Sequence, residues 1–595
     1  MKFLRNLLAS ILGSIIGITV MITFGILIIA MIGVGMSSEG EVKVKDNSIL
    51  VLKLDKPFVD NAADNPLSSY DIPLFDNYNS YGLFNLTKQL KDAAKDPKIK
   101  GLYIDTSFGL MAPYATATEL RKSLQEFKKS GKFIYTYMEF GEQKAYYLTS
   151  ISDSIILNPQ GQLFLSGLTS QRTYYKRVLD KVGVDIQIMK GRDNIYKSAV
   201  EQYYRDHQSK SDKEQTTKYL NDIWSVITKD IAESRNITIP EINKCADNIS
   251  TYLSPLNAIK YNLVDNLKYK DQVLSDLKDL SGVEEGKKLN TISILDYQST
   301  SDDKELKEYH KEKIAVIFAQ GAIVDKTDER EEINPDKITR VLRKARENDN
   351  VKAIVFRVNS PGGSAYGSEQ MWREVELTRQ VKPIIISMGD YAASGGYYIS
   401  CAGSKIVADN NTITGSIGIY SFIPNAKKLV QDKIGVTFDY VSTNKNGAPL
   451  SVVDPLTPFQ KNMLQTKIDQ GYELFITRVA EGRNMTKEEV HKIARGRVWS
   501  GKEAVKIGLV DKIGTLQDAI KLAKEEAGVE QIKLQVLPKV KDPITELFET
   551  TSKEIQIRFM KTILGEETFE IWNNVNNIKK LNGTYMMLPY HETIY

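Results

Sequence analysis

The stretch that decides the fold is 384-IIISMGDYAASGGYYISCA-402. Ile384, Ile385 and Ile386 are β-branched and apolar, so they read as a buried strand. Small residues follow, then Ser394 with Gly395 and Gly396, then the apolar run Tyr397, Tyr398, Ile399. A strand that breaks through small residues into a helix sets the first helical serine at the mouth of the fold. Unpaired backbone N–H groups and the positive end of the helix can meet a developing negative charge there. Two glycines let another backbone approach closely. Ser394 is therefore a candidate nucleophile. A serine N-cap followed by tightly packed glycines would look the same, so the motif needs support from elsewhere in the chain.

Upstream of this stretch, Ile314–Phe318 and Val351–Val358 read as strands, and the second runs into Asn359-Ser360-Pro361-Gly362-Gly363-Ser364. A Pro-Gly-Gly turn after a strand can aim backbone N–H groups into a cleft, as an oxyanion hole requires, although a plain tight turn has the same composition. The same order of elements occurs earlier in the chain. Ser48–Leu54, Ile99–Asp105 and Phe133–Met138 read as strands, with helices over Tyr81–Asp96, Ala115–Ser130 and Lys144–Ser150 between and after them. Tyr146-Tyr147-Leu148 matches Tyr397-Tyr398-Ile399, Arg235-Asn236-Ile237-Thr238 matches Arg483-Asn484-Met485-Thr486, and Leu263-Val264-Asp265 matches Leu509-Val510-Asp511 at a nearly constant offset. The chain is thus two tandem copies of one α/β domain with largely parallel pairing. Its divisions are residues 1–40, 45–282 (first repeat), 283–312 (charged linker), 313–516 (second repeat) and 517–595 (a tail for packing or assembly, with helical periodicity over Ile544–Leu564).

Comparing the copies locates the chemistry. Gln143-Lys144-Ala145 stands where the second copy has Ser394-Gly395-Gly396, and Thr106-Ser107-Phe108-Gly109-Leu110 replaces the Pro-Gly-Gly turn. The first copy cannot supply this nucleophile. A base for Ser394 is harder to find. His207, His310, His491 and His591 all lie in polar or charged surroundings, which argues against a Ser-His-Asp triad. Lys197 stands among apolar and small residues in Asn194-Ile195-Tyr196-Lys197-Ser198-Ala199, and the second copy has no lysine at the matching point. A lone lysine is usually a surface residue with its stem laid on the protein. To act as a base it must lose its charge, which means moving its pKa down by about three pH units at a cost of about 4 kcal/mol.

Composition excludes several functions and suggests a location. The 595 residues are 42% hydrophobic and 26% charged with a net charge of +4, which is ample for folded domains and offers no basic block for nucleic acid. Cys245 and Cys401 are far apart in sequence, and Cys401 reads as a buried small hydrophobe. Residues 6–38 carry no charge and are rich in Ile, Leu, Val, Met and Phe, while Lys2 and Arg5 precede them. About 20 such residues cross a bilayer, so the stretch is long enough for a single-pass anchor with the body exported. It exceeds the usual apolar core of a cleaved leader, although small residues over Gly33–Ser38 leave cleavage open.

Four motifs in order, NSPGGS at 359–364, AASGGYY at 392–398, TGSIGI at 414–419 and YKSA at 196–199, resemble the signal peptide peptidase A (protease IV) family in its long, duplicated, membrane-anchored bacterial form. The resemblance covers nearly the whole chain. It implies a Clp protease/crotonase-type fold of repeated ββα units, with Ser394 as nucleophile and Lys197 as general base. Ser416 would orient the lysine, and the N–H groups of Gly363 and Gly395 would hold the oxyanion. It further implies no cofactor or metal, apolar peptides such as cleaved signal peptides as substrates, a homotetramer, and a catalytic body on the periplasmic side of the inner membrane. Two alternatives stay open: an acyl-CoA enzyme on the same frame, and a non-catalytic membrane scaffold.

Overall fold

The parallel βαβ order expected from the sequence is present twice. The computed structural model describes residues 44–540 apart from 63–79, 108, 285, 298–310, 328, 330 and 448–449, together with residues 13 and 17 and two short strands, Thr584–Met587 and Thr593–Ile594. The expected membrane anchor and the periodic segment 544–564 lie outside these residues. Among the described residues no helix is long and apolar enough to cross a membrane.

The first sheet is fully parallel, in the order Thr291–Ser293, Ser48–Lys53, Ile99–Asp105, Phe133–Gly141, Ser154–Leu163 and Asn266–Leu267. Helices Leu83–Lys95, Tyr114–Lys128 and Gln143–Thr149 fill the crossovers. Ile49, Leu50, Leu52, Leu102, Ile104, Ile134 and Met138 are buried, as expected for central parallel strands covered on both faces. The second sheet follows the same plan through Lys533–Leu537, Lys313–Gln320, Val351–Ser360, Ile384–Ala393 and Ile413–Gly415, and ends on the antiparallel strand Val498–Ser500. In each repeat a helix, Lys270–Ser281 or Leu516–Ala527, precedes a parallel edge strand beside the repeat's first strand. The stretch read as a linker therefore supplies Thr291–Ser293 to the first sheet, and the segment after Leu516 supplies a helix and a strand to the second. These edge strands are short, three and five residues, so their period is too weak to show in the sequence.

A third sheet spans the repeats. Asp185–Lys190 of the first repeat runs antiparallel to Tyr420–Asn425 of the second over six paired residues. This pairing carries the chain onward from Lys190 to Lys197, beside the second repeat's segment 415–419, where Gly191 N–H donates to the Ile419 carbonyl at 3.0 Å.

The repeats also share a buried charge cluster. Arg357, on a central strand of the second sheet, donates to Asp60 Oδ1 (Nε, 2.9 Å) and Glu119 Oε2 (Nη2, 3.0 Å), both from the first repeat. Burial opposes the guanidinium's charge, but Asp60 and Glu119 outweigh it and hold its pKa above the ordinary value.

Candidate active site

Ser394 ends the Ile384–Ala393 strand and caps the helix Gly395–Ser400. Its backbone is at φ 55°, ψ −115°, a region that costs a non-glycine residue about 1–3 kcal/mol and is kept only where the surroundings enforce it. The enforcement is visible: Ser394 N–H donates to the Gly415 carbonyl at 2.8 Å, and the Ser394 carbonyl accepts from Tyr398 N–H at 2.8 Å. Helix and Pro-Gly-Gly turn approach so closely that a Cβ on Gly396 would lie 2.5 Å from the Ser360 carbonyl oxygen. That contact is why a second glycine follows the serine.

Lys197 and Ser394, 197 residues apart in sequence, meet within one chain. Nζ lies 2.7 Å from Ser394 Oγ, 2.9 Å from Ser416 Oγ and 2.9 Å from the Ser416 carbonyl oxygen. All three residues are completely buried. Burial drives the Lys197 amine well below the ordinary lysine range, and no neighbouring carboxylate counters it among the described residues. A neutral amine has two N–H donors and one lone pair. The two oxygens of Ser416 match the donors, and the Ser394 hydroxyl matches the lone pair.

The lysine loop is held from both repeats. Ser198 Oγ donates to Asp212 Oδ1 at 2.6 Å, and Asp212 is paired with Arg172. Gln215 Nε2 donates to the Tyr196 carbonyl at 3.0 Å, while its Oε1 accepts from Val498 N–H of the second repeat. Tyr196 N–H donates to the Arg495 carbonyl at 3.1 Å, and Ser416 N–H to that of Arg497 at 2.7 Å. Gly496, at φ +80°, sits so close that a Cβ there would lie 2.6 Å from Lys197 Cβ and N. Sequence reasoning missed Asp212 and Gln215, which reach the lysine loop from the helix Lys210–Arg235 of the same repeat, and Gly496, which meets it only across the repeats.

The expected oxyanion donors sit on two elements that pack together. Gly395 opens the helix, so its N–H belongs to the first turn that has no intrahelical acceptor. Gly363 lies on the short strand Gly362–Ser364, which packs against the same helix. The turn is tied down by a clamp that sequence reasoning also missed. Asp390 Oδ2 accepts from Asn359 Nδ2 (3.2 Å) and from Thr116 Oγ1 (2.8 Å), and its Oδ1 accepts from Thr116 N–H (2.8 Å). Asn359 Oδ1 in turn accepts from Tyr391 N–H at 3.1 Å. Burial raises the Asp390 pKa, with Thr116 and Arg357 acting against it.

In the first repeat, Gln143 occupies the place that Ser394 holds in the second. Its Nε2 donates to Tyr114 Oη (3.0 Å) and the Gly167 carbonyl (3.1 Å), and its Oε1 accepts from the N–H groups of Ser166 (3.1 Å) and Gly167 (2.9 Å). The amide is fully satisfied and closes that position. His491, which lies in a charged segment, is partly exposed and has Nδ1 within 3.2 Å of Tyr472 Oη.

Comparison with known proteins agrees with the doubled architecture. The description of peptidase family S49 matches twice, over residues 126–284 and 376–530. Protease 4 of Haemophilus influenzae is 34% identical over 525 residues, covering 85% of this chain and 83% of that protein. Protease 4 of Salmonella typhi is 34% identical, with 86% and 83% covered. A solved structure of a ClpP1 mutant from Listeria monocytogenes overlaps 34% of this chain and 94% of that one at 15% identity and a TM-score of 0.24. Two family matches in tandem, with relatives aligned along most of their length, make this chain a member of peptidase family S49 and a serine peptidase.

Proposed function

We propose that the chain is a membrane-anchored serine endopeptidase working through a Ser394/Lys197 dyad. Its substrates are cleaved signal peptides and other apolar peptides at the outer face of the bacterial inner membrane. The observation that carries the dyad is the 2.7 Å contact between Ser394 Oγ and a fully buried amine whose charge nothing nearby balances among the described residues. Neutral Lys197 takes the hydroxyl proton as Ser394 Oγ attacks the scissile carbonyl carbon. The N–H groups of Gly363 and Gly395 bind the oxygen that becomes negative. The protonated amine, held by Ser416, returns its proton to the leaving nitrogen as the peptide bond breaks. Neutral again, Lys197 deprotonates a water that hydrolyses the acyl-serine.

The uncharged stretch 6–38 behind Lys2 and Arg5 supports the anchor and an exported body. The homotetramer rests on the family resemblance. An acyl-CoA enzyme draws no support from a buried Ser–Lys pair, and a decayed scaffold would have no reason to keep Ser394 strained. The test replaces Ser394 with Ala and Lys197 with Ala separately and follows hydrolysis of an apolar peptide. Retained turnover in either variant refutes the dyad.

A further inference from the structure

A cavity of about 240 Å³ lies where the repeats meet, lined by Met111, Lys144 and Ile223 of the first and by Asp390, Asn411 and Ile413 of the second. Neither Ser394, Lys197 nor Ser416 lines it. Its place follows from the duplication. Lys144 stands where the second repeat has Gly395, and Glu142 Oε2 accepts the Leu110 N–H at 3.0 Å, so the first repeat's own turn is closed while the space beside it is open. Floor and mouth differ in character. Asn411 is 3% exposed and Asp390 6%, and Ile223 and Ile413 are buried with them, whereas Met111 is 47% exposed and the Lys144 side chain 20%. Asn411 Nδ2 donates to Thr118 Oγ1 at 2.9 Å, but its Oδ1 is buried without a hydrogen-bond partner. A buried acceptor with no donor calls for a group that the chain itself does not supply. Asp390 Oδ1 accepts from Thr116 N–H at 2.8 Å, which leaves that oxygen a second acceptor position. The volume exceeds the ~150 Å³ of an apolar cavity that admits benzene. It falls short of the ~300 Å³ at which pockets for drug-sized ligands begin. One apolar side chain with a short polar piece fits that range.

We propose that this cavity binds an apolar α-amino acid, free or as the first residue of a short peptide. Its ammonium group donates to Asn411 Oδ1 and Asp390 Oδ1 on the floor. Its side chain lies against Ile223 and Ile413, and a free carboxylate reaches Lys144 at the mouth. The two ends sort for this class: an anion alone meets Asp390, and a cation alone leaves Lys144 unanswered. The site also touches the clamp on the Pro-Gly-Gly turn. Thr116 N–H, Thr116 Oγ1 and Asn359 Nδ2 all donate to Asp390, so its ionised form holds them best. Burial, and after it Asp60, raises the Asp390 pKa; a bound cation acts the other way and tightens the clamp between the repeats. A peptidase releases ligands of this class, so the cavity reads product. Neither Ser394 nor Lys197 takes part, and the site and the dyad can fail separately.

The test is isothermal titration calorimetry on the full chain, a readout that needs no turnover. L-Leucine should bind saturably, and acetyl-L-leucine, which lacks the ammonium group, about tenfold more weakly or worse. L-Leucine amide keeps the ammonium group and lacks the carboxylate, so the parent should bind it several-fold more weakly than leucine. In Lys144→Met that difference should vanish: leucine weakens and the amide does not. Asn411→Leu should abolish leucine binding, and saturating leucine should raise the unfolding midpoint of the parent but not of this variant. Asn411→Leu also loses the bond to Thr118, so Lys144→Met, at the exposed mouth, carries the decision. Leu-Gly separates the two sources: affinity equal to that of leucine assigns the site to peptide N-termini, weaker affinity to the free amino acid. The site is overturned by no saturable leucine binding up to about 10 mM, by acetyl-leucine binding as tightly as leucine, or by a leucine-to-amide ratio that survives Lys144→Met.

Discussion

Whether Lys197 is neutral in the folded enzyme decides the mechanism, and two substitutions at this position separate the possibilities. Lys197→Met removes the amine and keeps an unbranched apolar stem of similar length. Lys197→Arg keeps a cation that cannot lose its proton near neutral pH. Both should lose about 10²–10⁴ in kcat/KM, the usual contribution of a general base. Their stabilities should differ in how they depend on pH. In the parent, burial pushes the amine pKa well below the ordinary range of about 10.4. Between the folded and unfolded pKa values the unfolded chain therefore holds more protons. Stability consequently rises with pH across that window, by at most about 1.4 kcal/mol per pH unit, and the penalty is fully present below the folded pKa. Met carries no such penalty; it leaves the Ser416 carbonyl without one donor, a loss of about 1–3 kcal/mol. The stability gap between parent and Met variant should therefore shift in the parent's favour as pH rises from 7 to 9. Arg places a fixed charge in a site with no carboxylate among the described residues and should cost several kcal/mol at every pH. The assays are peptide hydrolysis and thermal unfolding midpoints of all three proteins at pH 7, 8 and 9. An Arg variant as stable as the parent, or a parent-to-Met gap that does not change with pH, would show that the lysine is charged and refute a general base.

Other residues give sharper local tests. Ser416→Ala removes one of the two Ser416 oxygens that accept from the amine and should lower kcat about tenfold or more with little change in KM, read from Michaelis kinetics. Gly496→Ala forces a methyl group into Lys197 at a positive φ, and both activity and unfolding midpoint should drop, whereas a surface Gly→Ala change at Gly286 should leave activity intact. Asp390→Ala frees Asn359 and the Pro-Gly-Gly turn from Thr116; kcat should fall more than labelling of Ser394 by a small serine-reactive probe, because oxyanion geometry is lost while the nucleophile remains. Arg357→Met leaves Asp60 and Glu119 buried without their cation and should cost about 3–5 kcal/mol in unfolding measurements; a neutral result would mean that the cluster does not join the repeats.

The local pattern of the chain determined a good deal without help. Runs such as Ile384–Met388 and Val351–Val358 are apolar at nearly every position because parallel strands are buried on both faces, and that makes them visible in one dimension. The internal duplication singled out Ser394 and Lys197, since each copy lacks what the other has. What only the tertiary structure decided depends on docking of the repeats. Lys197 lies on an irregular loop, and its burial comes from Gly496, Ser416 and the strand Val498–Ser500, all far away in sequence. Desolvation depends on what covers a group, and no spacing rule encodes that. The Asp390 clamp, the Arg357 cluster and the strand Thr584–Met587 were invisible for the same reason: each residue is ordinary in its own stretch and takes its role from a distant partner. Periodicity reports which face of an element is buried, whereas the free energy of a proton on Lys197 is set by the other half of the molecule.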